Sequence, residues 1–95
     1  MDLNKIINQD KPTIIDVREP YEFEAAHAKG AINIPLGTIP ERVKEIKKMS
    51  TPIVVYCRSG MRSENAMSFL KAQGMKEVYN GGSLNDVFYF QNKAA

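Results

Sequence analysis

Cysteine and histidine are scarce in this 95-residue chain: each occurs once, as Cys57 and His27. One thiol and one imidazole exclude an intramolecular disulfide and a four-ligand structural zinc site, so neither a disulfide scaffold nor a metal cofactor is expected. A lone thiol suits a reducing compartment, and the expected location is the cytoplasm. A dominant charge sign is lacking too. Thirteen Lys and Arg against eleven Asp and Glu leave a formal net charge of +2, and no basic run exceeds Lys47-Lys48. No field of this size selects nucleic acid or an acidic membrane, and neither is expected as a partner. No stretch approaches the ~18 apolar residues of a membrane span, and Met1-Asp2-Leu3-Asn4-Lys5 lacks the apolar core of a secretory signal. Repeats, low-complexity tracts and linker-like composition shifts are absent. The length suits one domain over residues 1–95.

What remains is an ordinary globular composition, 43% hydrophobic and 25% charged. Three short runs rich in β-branched residues read as strands: Thr13–Val17, Ile53–Tyr56 and Glu77–Tyr79. Ala31–Ile34, closed by Pro35, reads as a fourth. Ile14-Ile15 and Ile53–Tyr56 are apolar without alternation, the pattern of parallel strands covered on both faces. Between them lie helical segments. Pro20–Ala28 begins with Pro at the first helical position and stops before Gly30. Pro40–Met49 carries Val43 and Ile46 at helical spacing after Thr38-Ile39-Pro40-Glu41, which has the form of a capping box. Arg62–Gln73 aligns Ala66, Phe69 and Leu70, with Gly74 as its left-handed C-cap. Leu3–Asn8 can supply a short helix at the other end. Strand–helix alternation at these lengths predicts an α/β domain with a parallel sheet and right-handed crossovers.

Ligands of such sheets bind beyond the carboxyl ends of the strands, which singles out Cys57-Arg58-Ser59-Gly60-Met61-Arg62, between the strand Ile53–Tyr56 and the next helix. Three features there favour a thiolate: the positive end of the helix dipole with its unpaired N–H groups, the charges of Arg58 and Arg62, and Gly60, which lets successive N–H groups turn inward as an anion nest. A free thiol of pKa ~8.5 is only about 3% ionised at pH 7, and lowering it by ~1.5–2 units makes half or more of it nucleophilic. A buried cysteine that only fills a core rarely has such neighbours. Arg62, at the helix start, is expected to reinforce the dipole beside Cys57, and Arg58 to point outward to an entering donor. Asp16 and Arg18 end the first strand on the same sheet edge and read as a structural pair that bonds loop backbone or Glu22. His27, between alanines, reads as a hydrogen-bonded structural residue, and Gly81 and Gly82 as a tight turn.

The loop Cys57–Arg62 resembles the active-site loop of rhodanese-like sulfurtransferases. Three other blocks carry the likeness in order: Ile14–Phe23, His27–Leu36 and Tyr79-Asn80-Gly81-Gly82. The resemblance implies a stand-alone three-layer αβα domain, with a mostly parallel sheet of four to five strands and helices on both faces. It also implies sulfur transfer without a cofactor: Cys57 as nucleophile and Arg58, Ser59, Gly60, Met61 and Arg62 as the substrate-binding loop. The donor would be a small anion such as thiosulfate, and the acceptor cyanide, a thiol or a protein. A non-catalytic interaction or sulfur-carrier module is the alternative. A cysteine-dependent phosphatase or arsenate reductase ranks below both, because that loop has five residues between Cys and Arg; here Arg58 to Met61 are four, and the phosphatase position holds Ser63. The chain departs from the family pattern where a Trp often follows the double glycine: here Ser83–Phe90 follow, with the aromatic residues later.

Overall fold

The computed structural model describes residues 2–9 and 12–93. Its elements run α1 (Leu3–Asn8), β1 (Thr13–Asp16), α2 (Pro20–Ala25), β2 (Ile32–Asn33), a 3-10 helix (Leu36–Arg42), α3 (Val43–Lys47), β3 (Ile53–Cys57), α4 (Met61–Ala72), β4 (Val78–Ser83) and α5 (Leu84–Lys93). The four strands form one parallel sheet in the order β2-β1-β3-β4. Parallel pairing needs long crossovers, whose 3-10 helix, α3 and α4 cover one face of the sheet, while α1 and α5 from the two ends of the fold cover the other.

The period of two along a strand divides the core between those faces. Ile15, Val17, Ile53, Val55 and Cys57 pack with Ile46 of α3 and Ala66 and Leu70 of α4. Ile14, Val54 and Tyr56 point the other way, toward Ile7 of α1 and Val87 of α5. All five residues of β3 are buried, which is why that run shows no alternation. The α/β class, the parallel sheet and the helices on both faces agree with the expectation from sequence.

Several boundaries differ, each for a local reason. The helix expected over Pro20–Ala28 stops at Ala25, because Ala26 turns extended and offers its carbonyl to Arg18 Nη2 (2.6 Å), while the Ala28 N–H bonds Tyr56 Oη (3.0 Å). The helix expected over Pro40–Met49 is a 3-10 turn followed by α3. Pro40 has no N–H for an α-helical bond, and Thr38 caps nothing: its hydroxyl donates back to the Pro35 carbonyl at 2.8 Å. A side-chain acceptor at a helix start is found instead in α2, where the Glu22 carboxylate accepts the Glu19 N–H (3.0 Å). β4, expected as Glu77–Tyr79, runs from Val78 to Ser83, and Gly81 and Gly82 lie inside it rather than in a turn. Pairing with β3 skips one residue there, from Val55↔Asn80 to Tyr56↔Gly82, a bulge that Gly82 permits with φ +86°. Gly81 is required by closeness: a Cβ on it would lie 2.8 Å from Val54 Cγ1.

The segment after the double glycine is α5, an element the sequence reading did not assign. Ser83 and Asp86 cap it reciprocally, with Asp86 N–H donating to Ser83 Oγ (3.0 Å) and Ser83 N–H to Asp86 Oδ2 (2.9 Å). Leu84, Val87 and Phe90 turn inward from it. Asn8 Nδ2 donates to the Phe90 carbonyl (2.7 Å), tying α1 to this helix. Gly74 does end α4 with φ +97°, its N–H bonded to the Lys71 carbonyl (3.0 Å).

Candidate active site

Cys57 is the last residue of β3, and three residues on, Gly60 starts α4 with φ +95°. That left-handed turn, open to glycine at little cost, brings the Gly60 N–H to 3.0 Å from Cys57 Sγ. Ser63, fully buried in the first turn of α4, sets its Oγ 3.5 Å from the same sulfur. Burial pushes the Cys57 thiol up and is the largest single influence. The Ser63 hydroxyl and the backbone N–H groups of Ser63, Ser59 and Gly60 together outweigh it and bring the thiol down to about 7. Cys57 has no exposed surface, and the two loop residues that follow it, Arg58 and Ser59, are exposed.

Asn80, beside the β4 bulge, holds this arrangement from behind. Its Oδ1 accepts Ser63 Oγ–H (2.7 Å) and the Gly82 N–H (2.9 Å), and its Nδ2 donates to the Gly60 carbonyl (3.1 Å) and to Glu64 Oε1 (3.1 Å). Ser63 carries one hydroxyl proton, which can face Asn80 or the sulfur but not both. A neutral thiol leaves that proton on Asn80; a thiolate draws it across.

Arg58 and Arg18 take the places the sequence suggests, and Arg62 gains a partner it did not. Arg62 forms a two-pronged pair with Glu22 of α2, at 2.8 and 3.1 Å. The hydrogen bonds from Arg62 hold the Glu22 carboxyl at about 2. Arg62 still interacts with Cys57 through its charge, but the main influences that lower the thiol are the hydrogen bonds from Ser63 and the backbone. Arg18 is likewise committed. Its Nε and Nη2 bond the Asp16 carboxylate at 2.7 to 3.1 Å, Tyr56 Oη donates to Asp16 Oδ2 at 2.7 Å, and Arg18 Nη2 reaches the Ala26 carbonyl rather than Glu22. This network, with Asp16 wholly buried, fastens the β1–α2 connection to the end of β3. Arg58 is exposed and pairs with no carboxylate among the described residues. Ser59 Oγ accepts the Met61 N–H (3.4 Å), and Met61 is exposed. His27 lies outside the site, its Nδ1 donating to the Phe23 carbonyl (2.8 Å) and its ring stacked on Phe23. Beside the loop a cavity of about 350 Å³ opens between Tyr21, Glu22 and Ala25 of α2, Arg58, and Leu84 and Asn85 of α5.

Sequence reasoning missed Ser63 and Asn80 as parts of the site. Ser63 had a signal: it shares the buried stripe of Ala66 and Leu70, a polar residue on an apolar face one turn from the nucleophile. Asn80 had none, since its contacts depend on the bulge.

The Rhodanese-like domain family matches residues 1–84. The putative sulfur carrier protein YrkF of Bacillus subtilis is 41% identical over 76 residues, 80% of this chain and 40% of that protein. The thiosulfate sulfurtransferase PspE of Escherichia coli is 38% identical over 74 residues, 77% of this chain and 71% of that protein. A solved structure described as a rhodanese with anions from E. coli superposes with a TM-score of 0.72 at 37% identity, covering 79% of this chain and 89% of that one. The chain spans about half the length of the B. subtilis relatives it matches, 55% and 40% of two of them.

Proposed function

The chain belongs to the rhodanese-like domain family, and from that premise we propose that it moves a sulfane sulfur from an anionic donor to a thiophilic acceptor through a persulfide on Cys57. The observation that carries this reading is the Cys57 sulfur at the end of β3, brought to about 7 by Ser63 and the loop N–H groups. Near neutral pH about half of such a thiol is ionised. With thiosulfate, the Cys57 thiolate bonds to the outer sulfur, the sulfur–sulfur bond breaks, and sulfite leaves with the electron pair. The sulfur stays on Cys57 as a persulfide anion, which the donors that hold the thiolate also suit. Cyanide then takes that sulfur as thiocyanate and returns the thiolate. Neither step needs a general base. Arg58, which pairs with no carboxylate among the described residues, supplies the approach contact for the anion.

The alternative, a sulfur carrier that loads the same persulfide and hands it to one protein partner, draws support from the name of the YrkF relative. Turnover separates the two. Wild-type protein is expected to form thiocyanate from thiosulfate and cyanide catalytically, and Cys57→Ser to form none while keeping its fold. Activity above a few per cent in that variant, or hydrolysis of an aryl phosphate by the wild type at a comparable rate, contradicts the proposal.

A further inference from the structure

The β4 bulge aims one side chain at the back of the Cys57 loop. Asn80 pairs with Val55, Gly82 pairs with Tyr56, and Gly81 between them lies against Val54 and Val87. The backbone of Asn80 is thus held on both sides, as at other bulges that re-aim a residue beside a site. Its amide is held as well. Oδ1 accepts the Gly82 N–H at 2.9 Å, and Nδ2 donates to the Gly60 carbonyl at 3.1 Å. Neither backbone group can reverse its role, so the amide has one orientation and presents Oδ1 to Ser63.

That orientation decides where the Ser63 proton rests. Oδ1 has no hydrogen to give, so the 2.7 Å contact makes Ser63 Oγ the donor. Cys57 Sγ lies farther from the same oxygen, at 3.5 Å. While the thiol is neutral, its S–H can donate to a Ser63 lone pair, and the chain Cys57–Ser63–Asn80 keeps the proton on sulfur. Once the sulfur is anionic, the hydroxyl turns to it and Oδ1 keeps the Gly82 N–H alone. The turn costs the bond given up at Asn80. A neutral amide oxygen holds a hydroxyl about half as strongly as a carboxylate does, and so releases it to a thiolate.

The charged and titratable groups of the surrounding elements have other partners. Glu64 of α4 accepts from Asn80 Nδ2, Arg62 pairs with Glu22 of α2, Arg18 and Tyr56 meet at Asp16 of β1, and Asp86 caps α5. Arg58 is exposed in the loop. Resting on the reading of Cys57 as the sulfur-carrying nucleophile, we propose that Asn80 is a positioning residue of the reaction: its neutral amide oxygen holds the Ser63 hydroxyl ready and surrenders it to the sulfur anion, so that Ser63 acts on Cys57 only beside an uncharged acceptor.

The test is a cycle of wild type, Asn80→Asp, Ser63→Ala and Asn80→Asp/Ser63→Ala, read as the midpoint of Cys57 alkylation by neutral iodoacetamide against pH. Asn80→Asp keeps the shape of the side chain and offers Ser63 a charged acceptor. Its midpoint is expected at least about one unit above wild type, because the hydroxyl stays on the carboxylate and the new charge opposes the thiolate. Charge alone would also raise it, so the deciding comparison is Ser63→Ala in the two backgrounds. With Asn80 in place, Ser63→Ala is expected to raise the midpoint by about one unit. With Asn80→Asp already present, it is expected to move it by less than about 0.3 unit. The same pattern is expected in a Glu64→Gln background, where the new carboxylate meets an amide instead of a second carboxylate. Thiosulfate:cyanide turnover by Asn80→Asp should recover to within about threefold of wild type at a common pH above the shifted midpoint, which a misshapen loop would not allow. An Asn80→Asp midpoint at or below that of wild type overturns the proposal. So does a Ser63→Ala shift that is absent beside Asn80 or persists in full beside Asn80→Asp, or turnover that stays depressed above the midpoint. Alkylation does not depend on sulfur transfer, so a wild-type chain that alkylates as expected yet never gains a sulfur overturns the sulfur-transfer reading and not the hold of Asn80 on Ser63.

Discussion

Ser63→Ala removes one of the hydrogen bonds that oppose the burial of Cys57. The Ser63 hydroxyl lies 3.5 Å from Sγ, longer than the Gly60 N–H at 3.0 Å, so its contribution belongs at the low end for a bond to a charged acceptor. That end is about 1.5 kcal/mol, or roughly one pKa unit. The thiol, at about 7 in the wild type, is expected near 8 in the variant. The sign follows from the group: losing a donor to the thiolate favours the protonated form, so the midpoint moves up. At pH 7 the ionised fraction falls from about half to about a tenth. A more basic thiolate is intrinsically more nucleophilic by about threefold per unit, so the rate at that single pH drops only about twofold. The midpoint of a full pH profile of Cys57 alkylation by neutral iodoacetamide is therefore the readout, and Ser63→Thr should keep the wild-type value. A midpoint that does not move in Ser63→Ala, or that falls, refutes the share of the thiol's activation assigned to the Ser63 hydroxyl.

Two further outcomes follow from other parts of the site. Arg58→Ala should raise the KM for thiosulfate about tenfold while leaving the alkylation midpoint nearly in place, because Arg58 is exposed and is not among the main influences on the thiol; steady-state kinetics beside the alkylation profile checks both halves. Gly81→Ala forces a methyl to within 2.8 Å of Val54 Cγ1 and 3.1 Å of Val87 Cγ2. Overpacking between two buried side chains costs about 1–3 kcal/mol, which thermal unfolding should register as a drop of at least about 4 °C.

The parts of the fold legible in the sequence are those written in local pattern. The unbroken apolar run Ile53–Tyr56 announced a strand covered on both faces, and Gly74 after Leu70 announced a helix end, because burial and the left-handed cap are decided within a few residues. Thr38 and Glu41 had the letters of a capping box, yet Pro40 and the carbonyl of Pro35 captured the turn for a 3-10 helix. The double glycine looked like a turn because the packing of Gly81 against Val54 and Val87 joins residues far apart in the chain. The start of α5 was not read from the sequence; its Ser83 and Asp86 cap is established by the structure. In the site, the nucleophile and its glycine turn were visible because they are contiguous. The commitment of Arg62 to Glu22 was not, since forty residues separate the pair and only the tertiary fold joins them.

The central claim is that Cys57 carries the transferred sulfur, and intact-mass spectrometry after incubation with a sulfur donor tests it most directly. The account predicts a gain of about 32 Da, one sulfur atom, on a thiolate able to hold it. Peptide mapping should locate that mass on Cys57, dithiothreitol should remove it, and Cys57→Ser should never acquire it. No added mass in the wild type with either thiosulfate or an organic persulfide, or the same mass on the Cys57→Ser chain, would contradict the account.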